Sequence, residues 1–298
     1  MMTDTGWLWA LFTLIAAAAQ TVRNAAQREL TAKLGTVGAT HVRFLFGLPF
    51  ALVFLMAVLA TGAALPRPNA AFWPWMLAGA ATQIAATALM LAAMGERSFV
   101  VAIAYIKTEP VQVALFGLLV LGDPVTPAMA VAILVATMGV VFMSLKAGPR
   151  EGGAWPTILG LSAGACFALS AIGYRGAILS LHDPSYLMAA TFTLTAGLAV
   201  QSVGLSVYLG LREPAVLGAI VAAWRPSLFA GFMGALASQF WFLAFALATA
   251  ASVRTLALVE VLFAQAISHF VFRQPVAPRE GVGIVLIVIG VLMLIQAH

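Results

Sequence analysis

The stretch YIKTEPVQVALFGLLVLGDPVTP, residues 105–127, sets a lysine, a glutamate and a proline inside an apolar run, and it has a second copy. Shifted by 151 residues without a gap, it falls on LALVEVLFAQAISHFVFRQPVAP, residues 256–278, laying Glu109 on Glu260, Pro124-Val125 on Pro275-Val276 and Pro127 on Pro278. The same shift lays Trp73 on Trp224 and Gly139 on Gly290, and a shift of 152 brings QTVRNA onto IGYRGA, pairing Arg23 with Arg175. Aliphatic matches arise by chance in so apolar a chain, so the Trp, Glu and Pro matches carry the weight of the repeat.

Composition identifies the solvent. Hydrophobic residues make up 63% of the chain and charged ones 8%, and mean hydropathy is +1.04. A bilayer core takes about 20 consecutive apolar residues per helix. Such runs fall near 7–27, 38–60, 72–94, 99–121, 126–145, 155–179, 185–209, 226–248, 252–272 and 280–297. The runs lack the strict alternation of a barrel, and backbone groups in lipid need partners within their own segment, so the runs are helices. The expected fold is an all-α integral membrane protein of ten transmembrane helices, arranged as two inverted five-helix repeats around a central cavity. The first repeat spans 1–150 and the second 151–298, in one structural unit. An odd number of spans per repeat turns the second copy upside down, a recurrent transporter architecture with the binding site near the midplane. The first run, WLWALFTLIAAAAQ, ends in small residues as a signal peptide does, but it has only Asp4 ahead of it and an internal counterpart, so it is expected to be retained.

The segment LGDPVTPAMAVAILVATMGVVFMSLK, preceded by EPVQVALFGLLV, resembles the end of an EamA-type repeat of the drug/metabolite transporter superfamily. There a proline-bearing helix, an LGE-like turn and a glycine-containing last helix recur, and the second half resembles it more loosely as EVLFAQAISHFVFRQPVAPREGVGIVLIVIG. Where the family has Glu in that turn, this chain has Asp123 and, in the second copy, Gln274. The resemblance covers essentially the whole chain. It implies ten helices around one cavity, and export or exchange of small metabolites.

Charges inside the spans indicate where a substrate would sit. Lys107 and Glu109 point about 200° apart on a helix and cannot pair with each other. Pro110 removes a backbone donor and clashes with the preceding turn, so it kinks the helix beside them. Arg23, Arg43, Lys107, Arg175 and Arg254 lie within or at the edge of spans, against only Glu109 and Glu260. An intramembrane charge costs on the order of 3 kcal/mol on insertion scales, so such groups face a cavity or a partner. For Arg43 and Arg254, near span ends, snorkelling to the headgroups is the competing expectation. Arg254 maps by the repeat onto Ile103, one turn before Lys107, so each half offers a cation on one face and a carboxylate on another. Gln20, Arg23, Asn24 and Gln27 follow i, i+3, i+4, i+7 along a single face, as either a cavity lining or a hydrogen-bonded seam. Gln83, Thr87, Gln112, Tyr174, Gln239, Trp241 and Gln265 are further candidates for a polar wall.

The expected substrate-binding set is therefore Gln20, Arg23, Asn24, Gln27, Gln83, Lys107, Glu109, Gln112, Tyr174, Arg175, Gln239, Trp241, Arg254 and Glu260, with Glu109 and Glu260 as coupling candidates. The cation excess favours a small anionic or zwitterionic metabolite. The rival is a hydrophobic cationic drug bound by the glutamates with help from Trp241 and Tyr105. A membrane lipid-modifying enzyme would need a clustered acid, base or metal set; the chain has no P-loop, GxSxG, HExxH or CxxC, and His41, His182, His269 and His298 are scattered. No catalytic residue, metal or cofactor is expected. Cys166 reads as a packing residue in a helix and GACFALSAIG as a close-packing stretch. The partners expected are a small-molecule substrate, membrane lipid and a proton or counter-substrate, without nucleic acid, in a monomer or homodimer. A pI near 9.9 suits anionic headgroups, and the expected location is a bacterial inner membrane. Odd-numbered connections carry Arg28, Lys33, Arg97, Lys146, Arg150, Arg212, Arg225, Arg273 and Arg279 while even ones carry only Arg67, which puts the termini outside. The resemblance implies termini in the cytoplasm.

Overall fold

A computed structural model describes residues 6–95, 105–144, 155–183, 185–270 and 278–297. Among these there is helix and connection, and no strand. In chain order the helices are α1 (Leu8–Leu45), α2 (Leu48–Leu59), α3 (Phe72–Gly95), α4 (Glu109–Phe116), α5 (Pro127–Ser144), α6 (Trp155–Ser180), α7 (Tyr186–Arg212), α8 (Pro214–Ala222), α9 (Trp224–Leu247), α10 (Ala250–Leu256), α11 (Val259–Phe270) and α12 (Pro278–Ala297). Among the described residues six helical stretches are long and apolar enough to cross a bilayer: Leu8–Leu59, Phe72–Ala93, Thr157–Ser180, Tyr186–Arg212, Trp224–Leu247 and Pro278–Ala297; Glu109–Leu121 and Pro127–Met143 are shorter apolar helices. The outside is oily and the mostly apolar core also holds polar groups, with Leu119, Met138 and Val203 at least 62% exposed while Arg23, Gln27, Thr193 and Gln201 are buried. That is the arrangement of a multi-pass integral membrane protein.

Several boundaries differ from the sequence expectation. The connection expected over 28–37 is helical almost throughout: α1 runs on to Leu34 and turns at Gly35, whose φ of 68° and ψ of 175° lie where only glycine rests without strain. Arg28, Glu29, Leu30, Ala32 and Lys33 are good helix formers, so the helix carries on past the apolar run. The connection expected near 210–225 contains α8, started by Pro214 at its first turn. In the described parts of the runs expected at 99–121 and 252–272, residues 105–121 and 252–270, the helical ladder is interrupted. In the first, three-residue turns from Thr108 N–H to Tyr105 O (3.1 Å) and from Val111 N–H to Thr108 O (3.2 Å) break the ladder just before Glu109; in the second, Leu258 N–H to Thr255 O (3.1 Å) and Glu260 N–H to Ala257 O (3.0 Å) do so just before Glu260. α4 then passes into a π-helical turn, Gly117–Leu121, closed by Gly122 at φ 68°.

The main helix interfaces join early and late parts of the chain: α1 packs on α9, α3 on α6, α5 on α12, α2 on α7, and α4 on α10. The α5–α12 pair is close because of glycine. A Cβ on Gly290 would stand 2.5 Å from the Ala136 nitrogen and one on Gly139 2.8 Å from the Gly283 oxygen. Helices that approach this way gain dispersion contacts along their backbones, which drive association where lipid removes the hydrophobic effect.

Candidate functional site

Between these interfaces lies a central cavity of about 120 Å³. α1 brings Gln20, Arg23 and Asn24 to it, the break before α4 brings Lys107 and Glu109, and α10–α11 bring Arg254 and Glu260. Met90 and Phe167 supply apolar wall. A narrow cleft of about 10 Å³ shares Gln20, Phe167 and Arg254 with this cavity and reaches Arg43, Gln83, Tyr174, Ser238 and Trp241.

The charges pair crosswise. Lys107 meets Glu260, and Arg254 Nε stands 2.8 Å from Glu109 Oε1. Neighbours two positions apart on one helix therefore each take a partner from the other interrupted helix. Gln20 Nε2 donates to Glu260 Oε2 at 3.1 Å, and Trp241 Nε1 donates to Gln20 Oε1 at 3.1 Å, so Gln20 ties the Lys107–Glu260 pair to the aromatic wall. The Arg254 guanidinium carbon sits 4.8 Å from the Trp241 ring centre and 5.8 Å from that of Phe245, a cation–π arrangement. Both carboxylates stand in the first turn of the helix that resumes after the break, where the exposed N–H ends of the peptide dipoles favour negative charge.

Arg23 and Arg43 differ from these. Arg23 is 1% exposed and donates from Nη2 to Asn24 Oδ1 at 2.6 Å; its Nε and Nη1 have no acceptor among the described residues. The neighbouring cations Arg43 and Arg254 repel it. Arg43 is 2% exposed and does not reach the headgroups: it donates from Nη1 to Thr87 Oγ1 at 3.1 Å and from Nη2 to Ser238 Oγ at 3.4 Å, with Nε unpartnered. Snorkelling is corrected for Arg254 as well, since Glu109 and Trp241 hold it inside. A Cβ on Gly234 would come within 3.2 Å of Arg43 Cγ and 3.5 Å of Arg23 Cδ, so this glycine lets the two stems lie side by side.

Other expected site residues lie elsewhere. Arg175 does not line the cavity: it pairs with Asp123 at 3.0 Å and donates to the Phe245 and Ala248 carbonyls, which anchors the turn before α5 to α6 and to the end of α9. Gln27 donates to Ala39 O at 3.0 Å across the Gly35 turn and belongs to packing. Gln239 donates to Thr191 Oγ1 at 2.8 Å between α9 and α7. Gln112 bonds Thr108 Oγ1 at 3.2 Å and, with Tyr105, lines an open groove beside α4, away from the central cavity. Gln265 donates to Glu280 at 3.2 Å. Gln83 accepts from the Tyr174 hydroxyl at 3.1 Å and from Gln201 at 2.9 Å and lines the cleft with Tyr174, while Thr87 bonds Arg43. Gln274 and the connection residues Arg97, Lys146, Arg150 and Arg273 lie outside the described residues. Arg43, Ser238 and Phe167 were absent from the expected set. Arg43 had a visible signal as a cation inside an apolar run; Phe167 and Ser238 had none.

Comparison with known proteins places this geometry. A search of curated proteins gives no match. A solved structure described as "Crystal structure of protein" is similar over 100% of both chains, with a TM-score of 0.71 at 18% identity, a likeness of fold alone. Residues 7–145, which carry Arg23, Arg43, Lys107 and Glu109, match the EamA-like transporter family, and this match, with the apolar helices, is consistent with a transmembrane transporter of the drug/metabolite transporter superfamily.

Proposed function

We propose that the protein is a secondary active transporter that exports or exchanges a small anionic or zwitterionic metabolite by alternating access, in a bacterial inner membrane. The observation that carries the charge preference is Arg23, a cation buried at the cavity with two nitrogens lacking an acceptor among the described residues. An unmatched buried cation is costly unless an anion completes it, and arginine suits carboxylate or phosphate. The rival cationic substrate finds less support, because Lys107 and Arg254 already occupy both glutamates.

The ten-helix, two-repeat organisation belongs to the same proposal. In the 151-residue register α1 answers to α6 and α3 to α9, so the pairings α1 with α9 and α3 with α6 exchange under the repeat, while α5 with α12 answers to itself. Helices interrupted just before Glu109 and Glu260 are the second support, since broken helices at the repeat interface mark transporter binding sites. Energy comes from a gradient, as no phosphate-binding loop is present in the sequence.

Purified protein in liposomes without nucleotide tests this. Flux of charged metabolites down or against an imposed gradient is expected, with anions or zwitterions moving and hydrophobic cations not. Flux of cations alone, abolished in Glu109→Gln and kept in Arg23→Gln, would reverse the charge assignment. The coupling role of the glutamates is tested by uptake against pH in Glu109→Gln and Glu260→Gln: a flattened profile is expected, and full transport with an unchanged profile removes it.

A further inference from the structure

Resting on that reading, we propose that Arg23 and Arg43 form a two-arginine subsite for an organic dianion, a phosphomonoester or a dicarboxylate, that bridges the central cavity and the cleft beside it. The first ground is charge. Four cations, Arg23, Arg43, Lys107 and Arg254, surround the two adjacent spaces, which share Gln20, Phe167 and Arg254 as lining, with two carboxylates, Glu109 and Glu260, among the described residues. Lys107 and Arg254 are matched one to one, which leaves two positive charges, and a dianion neutralises both. The Arg175–Asp123 pair is balanced in itself and lies outside both spaces.

The second ground is geometry. Both guanidinium groups are almost wholly buried, and both keep donors without acceptors: Nε and Nη1 on Arg23, Nε on Arg43. Their stems share the space over Gly234, so two like charges are held together on rigid helices where they repel. A buried donor without an acceptor costs about 1–3 kcal/mol, more when charged, so such an arrangement is costly unless an anion is bound for part of the cycle. Thr87 and Ser238 orient Arg43 through its Nη atoms and leave Nε unused. The repeat gives a third ground. Arg175 has Asp123 as its anchor, while the register places Gln274 opposite Asp123 and Arg23 opposite Arg175, so the second copy supplies no matching carboxylate for Arg23.

The test is calorimetric titration of the full-length protein in nanodiscs at pH 7.5 with succinate, glycerol 3-phosphate, the singly charged succinamate and the zwitterion glycine, paired with liposome flux of the same four. Glycerol 3-phosphate is mostly doubly charged at that pH, the second phosphate pKa being about 6. At least one dianion is expected to bind 10-fold or more tightly than both succinamate and glycine. Arg43→Gln is expected to weaken it at least 10-fold and to narrow the gap to succinamate, with Arg43→Lys recovering part of the loss. Equal affinity for succinate and succinamate with no binding of glycerol 3-phosphate, or dianion affinity unchanged in folded Arg43→Gln and Arg43→Lys, overturns the subsite. Selective binding of glycerol 3-phosphate over succinate assigns the phosphomonoester, and the reverse assigns the dicarboxylate. The two readings fail separately: flux of glycine or succinamate with no dianion preference keeps transport and removes the subsite, whereas tight dianion binding with no flux of any solute keeps the subsite and removes transport.

Discussion

At the scale of single residues, two arginines of the same charge have opposite roles. Arg175 is matched by Asp123 and two carbonyls, and removing it leaves a buried carboxylate without its partner. Breaking such a pair costs about 3–5 kcal/mol. Arg23 forms no ion pair among the described residues. Arg175→Gln is therefore expected to lower the thermal melting temperature in detergent by several degrees, while Arg23→Gln leaves it unchanged or raises it and cuts metabolite uptake at least 10-fold. Equal melting shifts in the two variants would mean that Arg23 is structural. Gly35 is a residue whose backbone alone dictates its identity. Nothing lies within 4 Å of a Cβ built there, yet its φ of 68° and ψ of 175° strain any other side chain. Gly35→Ala is expected to destabilise by about 1–3 kcal/mol, read as a fall in melting temperature with no clash to relieve.

At the scale of elements, the two interrupted helices are joined by exchanged charges. Lys107→Glu places two carboxylates together and is expected to abolish uptake; adding Glu260→Lys restores the pair in reverse and should recover a measurable fraction. A double variant no better than Lys107→Glu would show that the pair's orientation, beyond its existence, is required. Double-mutant cycles report the coupling, expected at about 0.5–3 kcal/mol. The α5–α12 contact makes a different prediction. Gly290→Leu drives a side chain into the Ala136 backbone, for which no rotamer makes room, and is expected to destabilise by about 1–3 kcal/mol. The same change at Gly281, where a Cβ meets nothing within 4 Å, is expected to be near neutral.

At the scale of the whole molecule, the inverted-repeat proposal fixes relative depth. Spin labels at positions 109 and 260 are expected to report the same immersion in the bilayer to within about one helical turn, roughly 5 Å. A larger difference rules out a two-fold axis in the membrane plane. The pairings α1 with α9 and α3 with α6 also predict that cysteines placed across either interface cross-link at similar rates in a Cys166→Ser background, and a strong inequality between them would count against exchange of the two halves.

Solvent, helical class and the identity of most charged groups at the cavity are legible in the chain before folding, because bilayer length and the penalty on intramembrane charge act on local composition. The sequence also located the break at Pro110, since proline removes a donor wherever it stands. The matching break before Glu260 has Val261 in place of that proline and carried no local signal. Helical periodicity tells which face a residue occupies, never which helix that face will meet. Only the tertiary structure decided that Lys107 takes Glu260 and Arg254 takes Glu109, that Arg175 anchors a turn, and that Arg43 turns inward beside Arg23 over Gly234. Each of these is a contact between segments far apart in the chain, set by how whole helices pack.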